Sequence, residues 1–360
     1  MMVRNLLLVG TKKGAFILES DGARERWDIR GPFAEGWGVH DMSVDPASGA
    51  ILAGAANPWF GAAVWQSPDL GQTWTHSSEG LTYGDDEGAP RIKAIWNVIG
   101  ANGALFAGVQ PAGLFRSDDA GVTWQHVSGL RDHPSCPEWQ PGAGGLICHT
   151  IIPHPTDAGR MWVAISAVGT FETRDGGETW ETRNKGVRAD FSPGPEPEFG
   201  QCVHKLIRVA GEDEVLMQQN HCGVYRSTNG GRTWDEITDG LPTDFGFPMV
   251  GHPRDASTAW VIPLDGGDKL HMVPEAKAAV WRTSDAGGTW TRLDTGLPQE
   301  QAYVQVLREA MAVDRLDPVG VYFGTSGGRL YGSVDEGASW SVVADDLPPI
   351  WSVEAHVVDA

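Results

Sequence analysis

Cysteine is scarce. The chain has 4 in 360 residues (Cys136, Cys148, Cys202, Cys222), and none makes a CxxC pair. That excludes the local redox and zinc motifs built on CxxC, and with no export signal it points to a reduced, cytoplasmic protein. Positive charge is also short: 27 Lys+Arg stand against 47 Asp+Glu, a net charge of −20. Phosphate binding needs a basic surface, so no nucleic-acid partner is expected, and no anionic membrane surface either. Long apolar runs are missing. Leu6–Val9 is too short for a signal-peptide core, and no stretch approaches the ~18–20 residues of a membrane span. No window of 11–18 residues carries a helical period. The expected partner is a small-molecule substrate, with the oligomeric state left open.

What is present is glycine (47), proline (23) and, unusually, 16 tryptophans. A hydrophobic fraction of 41% with 21% charged residues is that of an ordinary folded protein. Self-similarity explains much of the tryptophan. The pattern S/T-x-D/N-x-G-x-S/T-W occurs at Ser67–Trp74, Ser117–Trp124, Thr173–Trp180, Ser227–Trp234, Thr283–Trp290 and Ser333–Trp340. Successive tryptophans are 50, 56, 54, 56 and 50 residues apart, and a degraded copy runs from Ser20-Asp21-Gly22 to Trp27. The third-position carboxylate can accept N–H bonds inside the turn, the glycine supplies a positive φ, and the tryptophan leads into the next strand.

Each copy follows a short strand (Ala62–Gln66, Gly113–Arg116, Gly223–Arg226, Arg329–Gly332). An earlier strand precedes it (Ile51–Gly54, Leu105–Gly108, Met161–Ile165, Val215–Gln218, Val321–Gly324), and before that another, such as Val39–Val44 or His149–Pro153. Four short strands per ~50 residues is the pattern of a β-propeller blade. The expectation is an all-β, seven-bladed propeller forming one domain over residues 1–360. Its first blade is split between 1–30 and 348–360, so that the C-terminal strand Ile350–Val358 pairs with the N-terminal blade and leaves no open edge.

The six copies resemble the Asp-box, or BNR, repeat. The chain is thus similar to bacterial Asp-box propellers described as sialidase-like or glycosyl-hydrolase-like, and to the sortilin propeller and photosystem II assembly factors. The resemblance implies the fold and a site on the face opposite the boxes. Sialidases place there three arginines, a Tyr–Glu pair and an Asp, usually on six blades with an Arg-Ile-Pro motif. Here Arg91-Ile92 is followed by Lys93, and no arginine triad is evident. A fold does not carry its function with it.

The face away from the repeated turns is built by blade-linking loops and by loops between second and third strands. Aligning the starts of the innermost strands puts Glu354, His40, Lys93, His149, His204, Phe247 and Glu309 around the channel mouth, with His221 nearby. Imidazoles and carboxylates converging there suit a divalent transition metal such as Zn, Fe or Cu, with His40, His149, His204 and His221 as ligands. The same residues also fit a metal-free site with Glu309 or a histidine as general base, or a solvated polar channel. Tyr303 and Glu309 mimic a Tyr–Glu pair, and Cys202 with His204, two apart on one strand face, could form a nucleophile pair. Trp37, Trp59 and Trp139 could stack on a substrate, and Lys93, Arg91, Arg188 and Arg308 could hold an anionic group. Asp85-Asp86-Glu87 reads as a solvated loop, with a cation site as the alternative. The leading expectation is an enzyme at the channel mouth, a hydrolase or lyase of a small polar or anionic substrate that could be metal-assisted. A metal-free glycoside hydrolase and a protein-binding scaffold are the alternatives.

Overall fold

Runs rich in Val, Ile, Ala and Leu alternate with glycine-bearing turns, and they pair into seven four-stranded antiparallel sheets in the computed structural model, which describes residues 3–84, 87–194, 196–266 and 271–358. Met161–Ile165, Val321–Gly324 and Ile350–Val358 are strands over the residues expected from sequence, and most other strands extend by one to three residues. Blades 2 to 7 each take four consecutive strands. Their innermost strands are Gly38–Val44, Ala94–Ala101, Cys148–Pro153, Val203–Arg208, Gly246–Gly251 and Met311–Val313.

Blade 1 takes its innermost strand from the far end of the chain. Ile350–Val358 runs antiparallel to Arg4–Thr11, with Leu8 opposite Glu354 and Leu6 opposite His356. Gly14–Asp21 and Asp28–Phe33 complete the sheet, so the N-terminal part of the blade extends to Phe33 rather than ending at residue 30. The seam with blade 7 is polar and buried. The Asp314 carboxylate accepts from Asn5 Nδ2 (3.0 Å), Arg24 Nη1 (3.0 Å) and the Tyr322 hydroxyl (2.8 Å). A buried carboxylate so fully satisfied fixes the register of closure.

The repeated turns stand at the outer edge of the opposite face. In the Ser117–Trp124 copy, Asp119 Oδ1 accepts from Thr123 N (2.9 Å) and from the Ser117 hydroxyl (2.8 Å), while Oδ2 accepts from the Thr123 hydroxyl. Gly121 has φ 81° and gives its N–H to Ser117 Oγ at 2.8 Å. The tryptophan that follows reaches back to the preceding blade. Trp124 N bonds Glu79 O (2.9 Å), and the Trp234 indole donates to Arg183 O (2.8 Å). Five of the six repeat tryptophans are buried, so they tie blade to blade as well as filling the core.

Candidate functional site

Sheets arranged around an axis bring their innermost strands edge to edge, and one irregularity recurs on them. Six of the seven carry a β-bulge at the same height. The register skips His40, Trp96, His149, His204, Phe247–Pro248 and Trp351 in their respective blades. A bulge adds a residue, bends the strand and re-aims the side chain. In blade 7, Arg308 precedes Glu309, which bridges to Ser352 of blade 1. The mouth is therefore ringed by aromatic, imidazole and guanidinium groups. In every blade but the sixth, the next residue belongs to a second, more polar tier: Ser352, Asp41, Asn97, Thr150, Lys205 and Glu309.

Together with loops on this face, the ring residues other than His149 and Pro248 line a cavity of about 580 Å³, with Glu309 from the second tier. His40, Trp96, Cys202, His204, His221, Phe245, Phe247, Arg308, Glu309 and Trp351 all face it. His40 lies between two indoles, 4.3 Å from the Trp96 ring and 4.6 Å from that of Trp351. Burial pushes its pKa down to about 4, so the ring is neutral at pH 7. Arg308 donates to Ser166 Oγ (2.9 Å) and stands 5.7 Å over Trp96. Among the described residues it forms no salt bridge, so its other donors remain available.

Glu309 is at the floor. Its Oε2 pairs with Lys205 from across the axis, and its Oε1 is buried without a partner. Asp41 is close by. Its Oδ2 accepts from Asn97 Nδ2 (2.9 Å) and Val98 N (2.8 Å), but burial, and next the Glu309 charge, raise its pKa well above the usual carboxylate range. Glu354 is a third carboxyl in the same field, pushed up to about 7 chiefly by burial. Its side chain is exposed to the water of the axial channel. Channel water solvates a charge less well than bulk water, so the neutral form of the carboxyl is favoured. An ion pair and two carboxyls with raised pKa values thus share one column of space.

On the opposite wall, the His204 Nδ1–H donates to Gly246 O (2.6 Å), which turns Nε2 toward Cys202 Sγ at 3.5 Å. His221 is close to this pair, its ring centroid 5.7 Å from that of His204. As a nucleophile–base pair the thiol and imidazole are poorly tuned. Burial pushes the Cys202 thiol up and His204 well down, whereas a reactive thiolate needs the reverse.

The structure brings together Glu309, Arg308, His40, His204, His221 and Phe247 from the residues expected at the site. Several others are elsewhere. His149 is fully buried, with Nε2 bonded to Val203 O (3.0 Å) and Nδ1 to the Thr150 hydroxyl (2.9 Å); both nitrogens are used, so it is no metal ligand. Lys93 is exposed beside the blade 3 strand, and Trp96 takes its expected place in the ring; likewise Trp351 replaces Glu354, which sits deeper. Arg91 lines a separate surface hollow. Arg188 is locked by Asp190 and Glu236. Tyr303 is 70% exposed and outside the cavity, so it makes no pair with Glu309. Trp37 packs against Trp65 and His76, and Trp139 donates its indole N–H to Ser135 Oγ (2.9 Å); both are core. Trp59 is 88% exposed and also outside the cavity. Of the acidic loop, Asp85 and Asp86 lie outside the described residues. Sequence reasoning passed over Trp96, Trp351, Asp41, Lys205 and His271. The first four would have emerged from the position of the bulge, one step beyond the alignment of His40, His149 and His204.

No family model matches the chain. It is similar to a xyloglucanase of Hypocrea jecorina, 24% identical over 338 residues that make up 88% of this chain and 33% of that protein. It is also similar to an oligoxyloglucan-reducing end-specific xyloglucanase of Emericella nidulans, 35% identical over 210 residues, 52% of this chain and 25% of that one. Among solved structures, the GH74 xyloglucanase from Xanthomonas campestris superposes with a TM-score of 0.64 at 16% identity, over 97% of this chain and 52% of that chain. The chain spans 33% and 25% of these two curated relatives, and it shares its propeller fold with a glycoside hydrolase.

Proposed function

We propose that the chain is a glycoside hydrolase acting on an oligosaccharide bound in the axial cavity. One observation carries the reading: Glu309 presents a buried oxygen without a partner at the floor of an aromatic-walled pocket, and Asp41, its pKa raised chiefly by burial, is near enough to feel the Glu309 charge. Glycosidic cleavage needs a carboxylate and a carboxylic acid flanking one bond. A carboxyl whose pKa is raised is the one suited to donate a proton. Glu309 is the nucleophile or base and Asp41 the proton donor. Trp96 and Trp351 offer apolar surface for sugar faces. The similarity to xyloglucanases makes xyloglucan oligosaccharides the first substrates to try.

The test is release of new reducing ends from a panel of oligosaccharides and aryl glycosides. Glu309→Gln and Asp41→Asn are each expected to lower kcat by about 10²–10⁴-fold, the usual worth of a positioned acid or base. No turnover across the panel, or an unchanged Glu309→Gln enzyme, overturns the reading. The unpaired donors of Arg308 favour a second reading, in which the substrate carries an anionic group. Uronate-bearing oligosaccharides in the panel, with Arg308→Met raising KM for those alone, separate the two.

A further inference from the structure

We propose that Cys202, His204 and His221 form a binding site for one thiophilic transition-metal ion, of the zinc or copper(I) class, in the wall of the axial cavity. The inference does not rest on the carbohydrate reading. The three donor atoms lie within 4.8 Å of one another. A nitrogen at 2.0–2.1 Å and a thiolate sulfur at 2.3 Å from a tetrahedral zinc stand about 3.5 Å apart. Cys202 Sγ and His204 Nε2 are separated by 3.5 Å. The third donor, on the His221 ring, lies within 4.8 Å of both. That ring is half-buried, and neither of its nitrogens has a hydrogen-bond partner among the described residues.

The surroundings prepare the site in two further ways. The His204 Nδ1–H is engaged by Gly246 O at 2.6 Å, the arrangement that fixes the tautomer and aims Nε2 at a metal. The His221 loop is tied to the cysteine by its own backbone, His221 N donating to Cys202 O at 2.9 Å, so the loop ligand is held against the strand ligands before any ion arrives. All three residues face the cavity, so three protein ligands leave a fourth position directed into it. That is the open coordination of a site that binds a further molecule, as distinct from a closed four-ligand structural site. A thiolate with two imidazoles selects softer ions over calcium or magnesium, which require oxygen donors.

The experiment titrates the metal-stripped 360-residue chain with Co²⁺ and Zn²⁺ under reducing conditions. The expected result is one equivalent bound. With Co²⁺ a near-ultraviolet thiolate-to-metal band should appear, with intense visible bands of tetrahedral coordination, both bleached by Zn²⁺. Cys202→Ser should abolish the thiolate band and weaken binding by at least about 100-fold, the upper end of what loss of an outer partner alone causes. His221→Ala, a loop change that leaves the strands intact, should weaken binding while circular dichroism and melting stay as in the parent. Cys136→Ser, outside the cavity, should keep the band. Absence of a saturable equivalent in the parent, or full Co²⁺ binding without change in folded His221→Ala, overturns the site. Glycoside turnover measured with chelator present reports on the separate reading and is unaffected by either result.

Discussion

Breaking the Lys205–Glu309 pair should have an asymmetric effect. The two side chains are 18% and 5% exposed and meet across the axis, joining blades 5 and 7. Removing one partner of a buried pair costs about 3–5 kcal/mol, because the other charge is left uncompensated. The penalties differ here because of the neighbours. Lys205 lowers the pKa of both Asp41 and Glu354, whereas Glu309 raises both. Lys205→Met leaves Glu309, Asp41 and Glu354 facing one another without their cation, and should cost the full ~3–5 kcal/mol. Glu309→Gln strands Lys205 but removes a repulsion from the other two carboxyls, so it should cost less. The double variant should recover most of the loss, since replacing both partners of a buried pair is often near neutral. An unfolding entropy of about 2.1 cal/mol/K per residue gives roughly 0.76 kcal/mol/K for this chain, so Lys205→Met should lower Tm by about 4–7 °C at pH 7. Melts of the parent, the two single variants and the double variant complete the cycle. A Lys205→Met shift below about 1 °C, or a larger loss in Glu309→Gln than in Lys205→Met, refutes the argument.

Other consequences can be measured on the same protein. Glu354 keeps its proton to about pH 7 when folded and loses it near 4.5 when free. The native state therefore binds more protons between those values, so this group's contribution to stability declines as pH rises through that window. Glu354→Gln should remove the decline, raising Tm at pH 8 and hardly changing it at pH 4.5; equal shifts at both values would contradict it. The turn carboxylates act in the opposite sense. Hydroxyl and N–H donors from Thr123 and Thr179 pull Asp119 and Asp175 down to about 2. Their contribution is present above the free value of 3.8 and lost as pH falls toward 2, so Tm should drop across that range. Asp119→Asn with Asp175→Asn should flatten the drop, because Asn229 already makes the turn bonds with an amide (Thr233 N at 3.0 Å). His149→Ala should cost about 2–4 kcal/mol by leaving Val203 O unpaired and a cavity behind. Metal titration of that variant should match the parent.

The blades were legible in the sequence because the signals that specify them are local. A strand declares itself by its residue types, and the repeated turn needs its Ser, Asp, Gly and Trp at fixed offsets; none of this depends on distant residues. Closure was legible too, since Ile350–Val358 had no other strand to pair with. The site was legible only in part. Counting from strand starts aligned His40, His149, His204 and Phe247 correctly, as all four occupy bulges. The count then slipped by three in two blades, choosing Lys93 over Trp96 and Glu354 over Trp351, and by one in blade 7, choosing Glu309 over Arg308. A bulge leaves no fixed residue signature, because its cause is the crowding of seven strand ends around an axis, which only the assembled ring supplies. Nor does an equivalent position in the ring imply equivalent chemistry. His149 and His204 share a height, yet His149 has spent both nitrogens on Val203 and Thr150, while His204 spends one on Gly246 and turns the other toward Cys202. One hydrogen bond separates a structural histidine from a candidate ligand. That bond is the one His149 makes to the hydroxyl of the residue after it, Thr150, where His204 is followed by Lys205; the bond each makes to the next blade's innermost strand is common to both.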